Sequence, residues 1–568
     1  ISTNIREKYL LILGKGVTPS MANYFSVIGN IHYRFNPEQF RKVTDYKNNF
    51  TSLVPTFGEP GSDLMYSINN NYVAQIYTGR VPARTNEEVN AYLDKVREHE
   101  SLDSTTIWRK HLIHLSGGKT ASEIMLYKKY VDTYKAFSEN PHFGGKVINT
   151  FVKNLQNGSV DNQLITNVAV DVNNGVSMMT FFGHSSAEIN DVDIGFVSNP
   201  IYGYKNTGKY PMLLVNGCTS ANIYANYSFA EDWINTPNLG AINVLGHTDI
   251  GYANNLNQYS TYFYKFQFND ERYRNRSVGF IMKKVIDSVT SINSVVDVVS
   301  QAQCTQMNLS GDPAMKLYSP SKPDYAIYGD NQIAQRKCAL ASLNGQNVTA
   351  KDPFKIIIPI DNYGSTPSKT IDIIISRYVN NIFVKNYQIP LTPIYYRDTV
   401  SLEILNSDGN YAGENKFIIV VDPLDSLQEI QKGNNVAYLN YYMPLSSVKC
   451  IYPLNYSVVS NQPVTLIAQP TNLLINATDY YFEIDTTKFF NSPFKQTAVV
   501  NSGSLPTWNP LLVSNISPSD SIVYFWRTRF KTILALEDTI WDNSSFIYIK
   551  NSNSGWSQTN VDQVLENN

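Results

Sequence analysis

Two stretches decide the fold: Val176-Ser177-Met178-Met179-Thr180-Phe181-Phe182-Gly183-His184-Ser185-Ser186, and Pro211-Met212-Leu213-Leu214-Val215-Asn216-Gly217-Cys218-Thr219-Ser220. Each is a near-continuous apolar run that stops at a glycine followed by a reactive side chain. Strands of a parallel sheet are covered on both faces and read this way, whereas a half-exposed antiparallel strand alternates apolar and polar residues. Ligands of such sheets bind in the crevice beyond the carboxyl ends of the strands. If the two strands are neighbours, His184 and Cys218 share one rim although 34 residues separate them.

Outward from this pair, strand-like runs at Lys8–Leu13, Tyr72–Tyr77, Ile107–Leu115 and Ala241–Leu245 alternate with helix-like segments. The helices expected are Asn86–Glu100, Ala121–Ser138, Tyr259–Asn269 and Ser277–Val289. This alternation predicts an α/β domain with a mostly parallel sheet over residues 1–320. After Pro320 the pattern changes to β-rich runs with turn residues about every ten positions. Pro353–Asp361, Thr370–Val379 and Tyr411–Val421 predict an Ig-like β-sandwich over 321–446. Ser457–Gln469, Asp479–Asp485 and Ser521–Phe530 predict a second over 447–550, with the boundary between Asn434-Asn435 and Tyr452-Pro453. Residues 551–568 read as a polar linker. The chain opens on what looks like an interior strand, so an N-terminal part of the domain is expected to be missing.

Composition agrees with several packed cores. The 568 residues are 43% hydrophobic, with 39 Tyr and 26 Phe, and 17% charged against about 25% in an average soluble domain. Lys+Arg 46 against Asp+Glu 48 leaves a net charge of −2, and no block of like charge provides the footprint of a nucleic-acid binder. No run of 18 apolar residues predicts a membrane-spanning helix. Cys218, Cys304, Cys338 and Cys450 lie far apart without metal-ligand spacing, and the seven histidines all precede residue 248.

A Cys and a His on one rim are the pair a cysteine peptidase needs. The thiolate attacks, and the imidazole holds or delivers the proton. The backbone N–H groups of Cys218 and of the turn after His184, at Ser185, are candidates for an oxyanion hole. The plain alternative is a core cysteine beside a hydrogen-bonded histidine. His114 and His247 end two other strands and are candidates to line the cleft, with a satisfied rim histidine the plainer reading of His114; Glu188 or Glu123, each otherwise a solvated surface acid, is a candidate carboxylate partner for His184. Asp63 reads as a turn or cap residue, Arg80 as a structural ion-pair partner.

At these residues the chain resembles the gingipain-type (C25) cysteine peptidases, a caspase-like α/β family that includes the sortase of the bacterial type IX secretion system. The resemblance runs through Gly58-Glu-Pro-Gly-Ser-Asp63, Ile76-Tyr-Thr-Gly79-Arg80-Val-Pro82, the His184 and Cys218 motifs, and Leu309-Ser-Gly311-Asp312-Pro313. Phe417-Ile-Ile-Val-Val-Asp422, Tyr480-Tyr-Phe-Glu483 and Val523-Tyr-Phe-Trp526 resemble the β modules of the large sortase-like members. The resemblance implies Cys218 as nucleophile and His184 as general acid/base, with no cofactor required. It also implies structural calcium, to which no residues are assigned. Further implications are cargo proteins with C-terminal sorting domains, a lipopolysaccharide-type amine acceptor, an outer-membrane β-barrel partner, and a peripheral place on the outer membrane at the cell surface. Two departures stand out. Ser185 replaces the glycine that usually follows the histidine, with a conformational cost if φ is positive there. Ser116, before Gly117-Gly118, replaces the acid that orients the histidine. A non-catalytic scaffold that binds cargo or a barrel, and a plain secreted endopeptidase, are the two other readings.

Overall fold

The computed structural model describes residues 7–18, 44–45, 50–51, 53–54, 56, 60–68, 75–102, 106–154, 164–224, 227–291, 297–330, 332–343, 348–350, 352–406, 411–444, 447–471, 473, 475–513, 521–531, 540–558 and 563. His32 and residues 58–59 of the Gly58–Asp63 motif lie outside them.

The apolar runs form the centre of an eight-stranded sheet. In chain order its strands are β1 (Tyr9–Leu13), β2 (Tyr77–Val81), β3 (His111–Ser116), β4 (Lys146–Val152), β5 (Met178–Phe182), β6 (Met212–Asn216), β7 (Asn243–His247) and β8 (Met307–Gly311). They lie side by side as β1-β2-β8-β7-β6-β5-β3-β4. β4, β3, β5, β6 and β7 are mutually parallel, and β8 runs antiparallel to β7. Every residue of β5, β6 and β7 is buried, as the near-continuous apolar reading of β5 and β6 requires.

Helices cover both faces. α1 (Asn86–Glu100) and α2 (Ala121–Ser138) begin and end where the sequence placed them, each capped by a threonine, Thr85 and Thr120. Such caps satisfy amide groups that the first turn leaves open. Leu112, Met178, Met212 and Leu214 point to α2, α5 (Ala253–Tyr264) and α6 (Val278–Ser291). Their strand neighbours Ile113, Met179, Leu213 and Val215 point the other way, to α1, α3 (Ala169–Asn174) and α4 (Phe229–Asn235). α7 (Val298–Thr305) precedes β8. The run Tyr72–Tyr77 was expected as a strand; the strand begins at Tyr77, and residues 71–74 lie outside the described set. Ile107–Leu115 divides into a 3-10 turn, Ile107–Lys110, and β3.

That turn carries Lys110 to the amino end of β3, where the first β module docks. Lys110 is fully buried, and its Nζ donates to the carbonyls of Gly364, Tyr395 and Asn362 at 2.6, 2.8 and 3.0 Å. Beside it His111 Nε2 meets the Tyr396 hydroxyl at 2.8 Å and Nδ1 meets the Gly175 carbonyl at 3.3 Å. An ammonium group taken out of water needs acceptors of this kind, since its desolvation costs several kcal/mol.

The first module pairs β11 (Phe354–Asn362) with β9 (Tyr325–Ala326), β10 (Ala339–Ser342) and β14 (Arg397–Ile404). Its second sheet has the order β13-β12-β15-β16, from Ile382–Leu391, Ile371–Val379, Gly413–Val421 and Val436–Met443. Alternate burial along β11, β12 and β15 gives the two sheets one shared core. The segment expected as a boundary contains β16, and the joint is residues 444–447. The second module begins at β17 (Val448–Tyr452) and has its own core, built on Tyr480, Phe482 and Trp526. Ser457–Gln469 is not one strand. It divides into β18 (Ser457–Val459) and β19 (Leu466–Pro470), because Asn461 and Pro463 interrupt the pairing. The polar tail is not wholly a linker either: Gly555–Trp556 pairs with Ser457 and Val458.

Candidate active site

β5 and β6 pair in register, with Phe182 opposite Asn216. Two residues beyond each strand end stand His184 and Cys218, at matching offsets on one rim. The two turns are tied together. Gly183 N–H donates to the Asn216 carbonyl at 3.0 Å, and Ser185 Oγ donates to the Cys218 carbonyl at 2.7 Å. A Cβ at position 217 would collide with Ser185 Oγ, so the serine occupies the space that Gly217 leaves. Ser185 is not among the residues with positive φ, and the anticipated cost does not arise there. Thr219, just after the cysteine, takes the left-handed conformation instead, with φ 54°. The Thr219 N–H donates to the Asp249 carbonyl at 2.9 Å.

His184 Nε2 lies 3.2 Å from Glu123 Oε2, and each side chain is one-third exposed. Glu123 stands at the third position of α2. Its N–H donates to Thr120 Oγ1 at 3.2 Å, and its carboxylate accepts the Lys119 N–H at 2.7 Å. Thr120-Ala121-Ser122-Glu123 is thus a variant of the capping box, with Glu123 reaching back to the N–H of the residue before the cap. Partial burial pushes the Glu123 carboxyl up, but the Lys119 N–H and His184 outweigh it, and the net direction is down. One helical turn on, the Tyr127 ring lies 6.1 Å from His184 and 4.9 Å from Phe182. Burial first, then the nearby charges of Glu123 and Asp191, pushes its phenol up to about 12.

All four cysteines are free. Cys304 and Cys338 are buried in cores, and burial pushes both thiols up to about 12. Cys450, turned to the Asp542 carbonyl at 3.2 Å, is also pushed up by burial. Cys218 is half-buried, as Cys450 is, but it stands at the rim of the parallel sheet, where the long contact of its sulfur is with the Gly251 carbonyl, 4.0 Å away. Among the described residues, the N–H groups of Cys218 and Ser185 have no hydrogen-bond partner.

The family model for peptidase family C25 matches residues 2–318, over half of the chain. The chain belongs to peptidase family C25. Among solved structures it is similar to the Arg-specific cysteine proteinase gingipain R, with 10% identity, 78% of this chain and 85% of that one covered, and a TM-score of 0.42. The complex of the pro- and mature domains of RgpB from Porphyromonas gingivalis gives 10% identity, coverage of 78% and 87%, and the same TM-score. No curated protein matches the chain.

Within this gingipain-type C25 fold the other anticipated residues have different places. His114 does not line the cleft. It is fully buried between β3 and the helices below, with Nε2 3.0 Å from the Tyr264 hydroxyl, and burial pushes it down to about 3. His247 is also buried; its Nδ1 lies 2.9 Å from the carbonyl of Asp249, the group that also receives the Thr219 N–H. It supports the floor of the cysteine turn. Glu188 is exposed, and no bond links it to His184. Asp63 and Arg80 form a buried bidentate pair at 2.6 and 2.8 Å, and Arg80 also donates to the Gly14 and Val54 carbonyls. Among the described residues no three His, Cys, Asp or Glu side chains gather around a common point that fits a metal ion, so the calcium expected of the family has no such cluster here. Two residues escaped the sequence reading. Tyr127 carried the signal of standing one turn after the capping-box acid. Asp191, in the return from the His184 turn, carried none.

Proposed function

We propose that this C25 peptidase is active and works by acyl transfer, with Cys218 as nucleophile, His184 as general acid/base and Glu123 as the carboxylate that orients the imidazole. The observation that carries the reading is the 3.2 Å contact between His184 Nε2 and Glu123. It supplies from the first turn of α2 the acid that Ser116 does not supply. With Nε2 committed to Glu123, Nδ1 is the nitrogen left to serve the thiol. The Cys218 thiolate attacks the scissile carbonyl while the unpartnered N–H groups of Cys218 and Ser185 receive the developing oxyanion. His184 protonates the departing amine, which leaves a thioester. His184 then takes a proton from the incoming nucleophile as the thioester is cleaved, and thiolate and imidazolium are restored.

An amine as the incoming nucleophile makes the enzyme a transpeptidase, and the resemblance to sortase-like members favours that acceptor. In this reading the protein sits at the cell surface, peripheral on the outer membrane beside a β-barrel partner. It removes C-terminal sorting domains from secreted cargo and passes the new carboxyl end to a lipopolysaccharide-type amine.

The test is the iodoacetamide alkylation rate of each cysteine from pH 5 to 9, read by mass spectrometry, in the native chain and in His184→Ala. Cys218 is expected to react well below the free-thiol range of about 8.5, and to slow by about 10²-fold or more at pH 6 in the variant. A Cys218 that follows the other three cysteines would make the domain a binding scaffold.

A further inference from the structure

The His184 turn returns through Ser186–Ile189, and its hairpin is closed by a single bridge between Ser185 and Asn190. The next residue, Asp191, is mostly covered, its side chain 9% exposed, and its contacts reach three strand ends. Its Oδ2 accepts the Gly118 N–H at 2.7 Å, beyond β3. Lys153 Nζ, beyond β4, lies 3.6 Å from the same oxygen, with side chains only 5% and 9% exposed. Its own N–H donates to the His184 carbonyl at 2.8 Å, beyond β5. Among the described residues Oδ1 has no hydrogen-bond partner, and it is buried. It lies where side chains at 117 and 183 would begin, because a Cβ on either glycine would collide with it. Neither Gly117 nor Gly183 has a positive φ. Both are glycines to make room for a carboxylate, not to bend the chain.

These contacts close a ring. Asp191 holds the Gly118 N–H, and the next N–H, that of Lys119, holds Glu123 at 2.7 Å. Glu123 holds His184, and the His184 carbonyl holds the N–H of Asp191. We propose that Asp191 is a positioning residue, a wedge between the turn that precedes α2 and the turn that carries His184, which fixes the spacing at which Glu123 meets the imidazole. The proposal rests on the role given above to His184 and Glu123 and names the group that holds them in place. A carboxylate with one buried, unanswered oxygen is costly to keep, and a site in which two strand ends are glycine to accommodate it has been shaped around it.

The test uses deuterium uptake at C2 of each histidine in the full chain at fixed pH, read by mass spectrometry, with Cys218 alkylation at pH 6 measured on the same samples. Asp191→Ala, which leaves Gly118 unanswered, is expected to change uptake at His184 by about threefold or more in the same direction as Glu123→Gln, with His111, His114 and His142 unchanged. Asp191→Asn keeps an oxygen for Gly118 and is expected to restore it. The double variant Asp191→Ala/Glu123→Gln is expected to match Glu123→Gln alone, because both act through one contact. Cys218 alkylation is expected to slow about fivefold in Asp191→Ala. His184 uptake that ignores Asp191→Ala, or that Asp191→Asn fails to restore, overturns the proposal. A Cys218 that reacts like an ordinary thiol while His184 still follows Asp191 would overturn the peptidase reading and leave the wedge standing. If Asp191→Ala does not fold, Gly117→Ala asks the same question by pushing the carboxylate off Gly118.

Discussion

At the carboxyl rim of the eight-stranded sheet, His184 and Glu123 each keep a third of their side chain in solvent, and two backbone amides stay unpaired. At the amino rim Lys110 keeps none of its surface, and all three of its N–H donors are answered by carbonyls of the first β module. One rim keeps its paired side chains open to solvent, and at the other Lys110 commits every donor it has inside the fold. The contrast separates two uses of polarity on one scaffold: groups that are to meet a substrate must stay available, while groups that fasten two modules must be spent within the fold.

The sharpest way to break this contrast is at Lys110. Lys110→Met removes a buried donor and strands three carbonyls, and a loss of about 3 kcal/mol in urea unfolding is expected, with Cys218 alkylation changed less than about twofold. An equal loss of Cys218 reactivity would show that the rims are coupled.

Next in size is a pH effect at the same rim. Burial, opposed by the Gly175 carbonyl, pushes His111 down to about 4. A histidine whose pKa is lower folded than unfolded takes up protons on unfolding, so its contribution is complete above about 6.5 and is lost as pH falls from there towards 4. Denaturation at pH 7.5 and 5 should show about 1–2 kcal/mol lost on this account, and His111→Gln should flatten the slope by that amount.

At the carboxyl rim, Glu123→Gln is expected to slow Cys218 alkylation at pH 6 about tenfold while unfolding stability moves by less than about 1 kcal/mol. The smallest effect belongs to Glu188→Gln. This exposed acid is expected to change stability by less than about 0.5 kcal/mol, and alkylation within error. A clear effect there would move the carboxylate partner of His184 from α2 to the turn.

Much of this was legible in the sequence where one physical signal dominated. The burial of β5 and β6 wrote itself as near-continuous apolar runs, and the helix-like segments Asn86–Glu100 and Ala121–Ser138 are α1 and α2. The sequence offered Glu123 and Glu188 alike as candidate carboxylates, and only the docking of α2 against β5 brings Glu123 to the His184 imidazole. His114 and His247 were open to a cleft reading, and His114 also to that of a satisfied histidine, because a strand-end histidine reads alike whether it faces the rim or the core; both are buried. Asp191 was invisible for a simpler reason: its partners stand at residues 117–118, 153 and 183–184, and no local pattern connects them. The split of Ile107–Leu115 had the same origin, since the use of Lys110 depends on loops more than 250 residues later.

The pressing of Gly144 against the Tyr395 carbonyl, beside Lys110, bears on which piece of this chain is portable. A cut after residue 320 would strip a buried ammonium of its acceptors and bare a surface shaped to another module's backbone. A cut between residues 444 and 447 would instead fall between two modules that each have a core of their own. The smallest inheritable unit is thus the peptidase domain together with its first β module, a single heirloom in two pieces, and the second module is the part that can be exchanged.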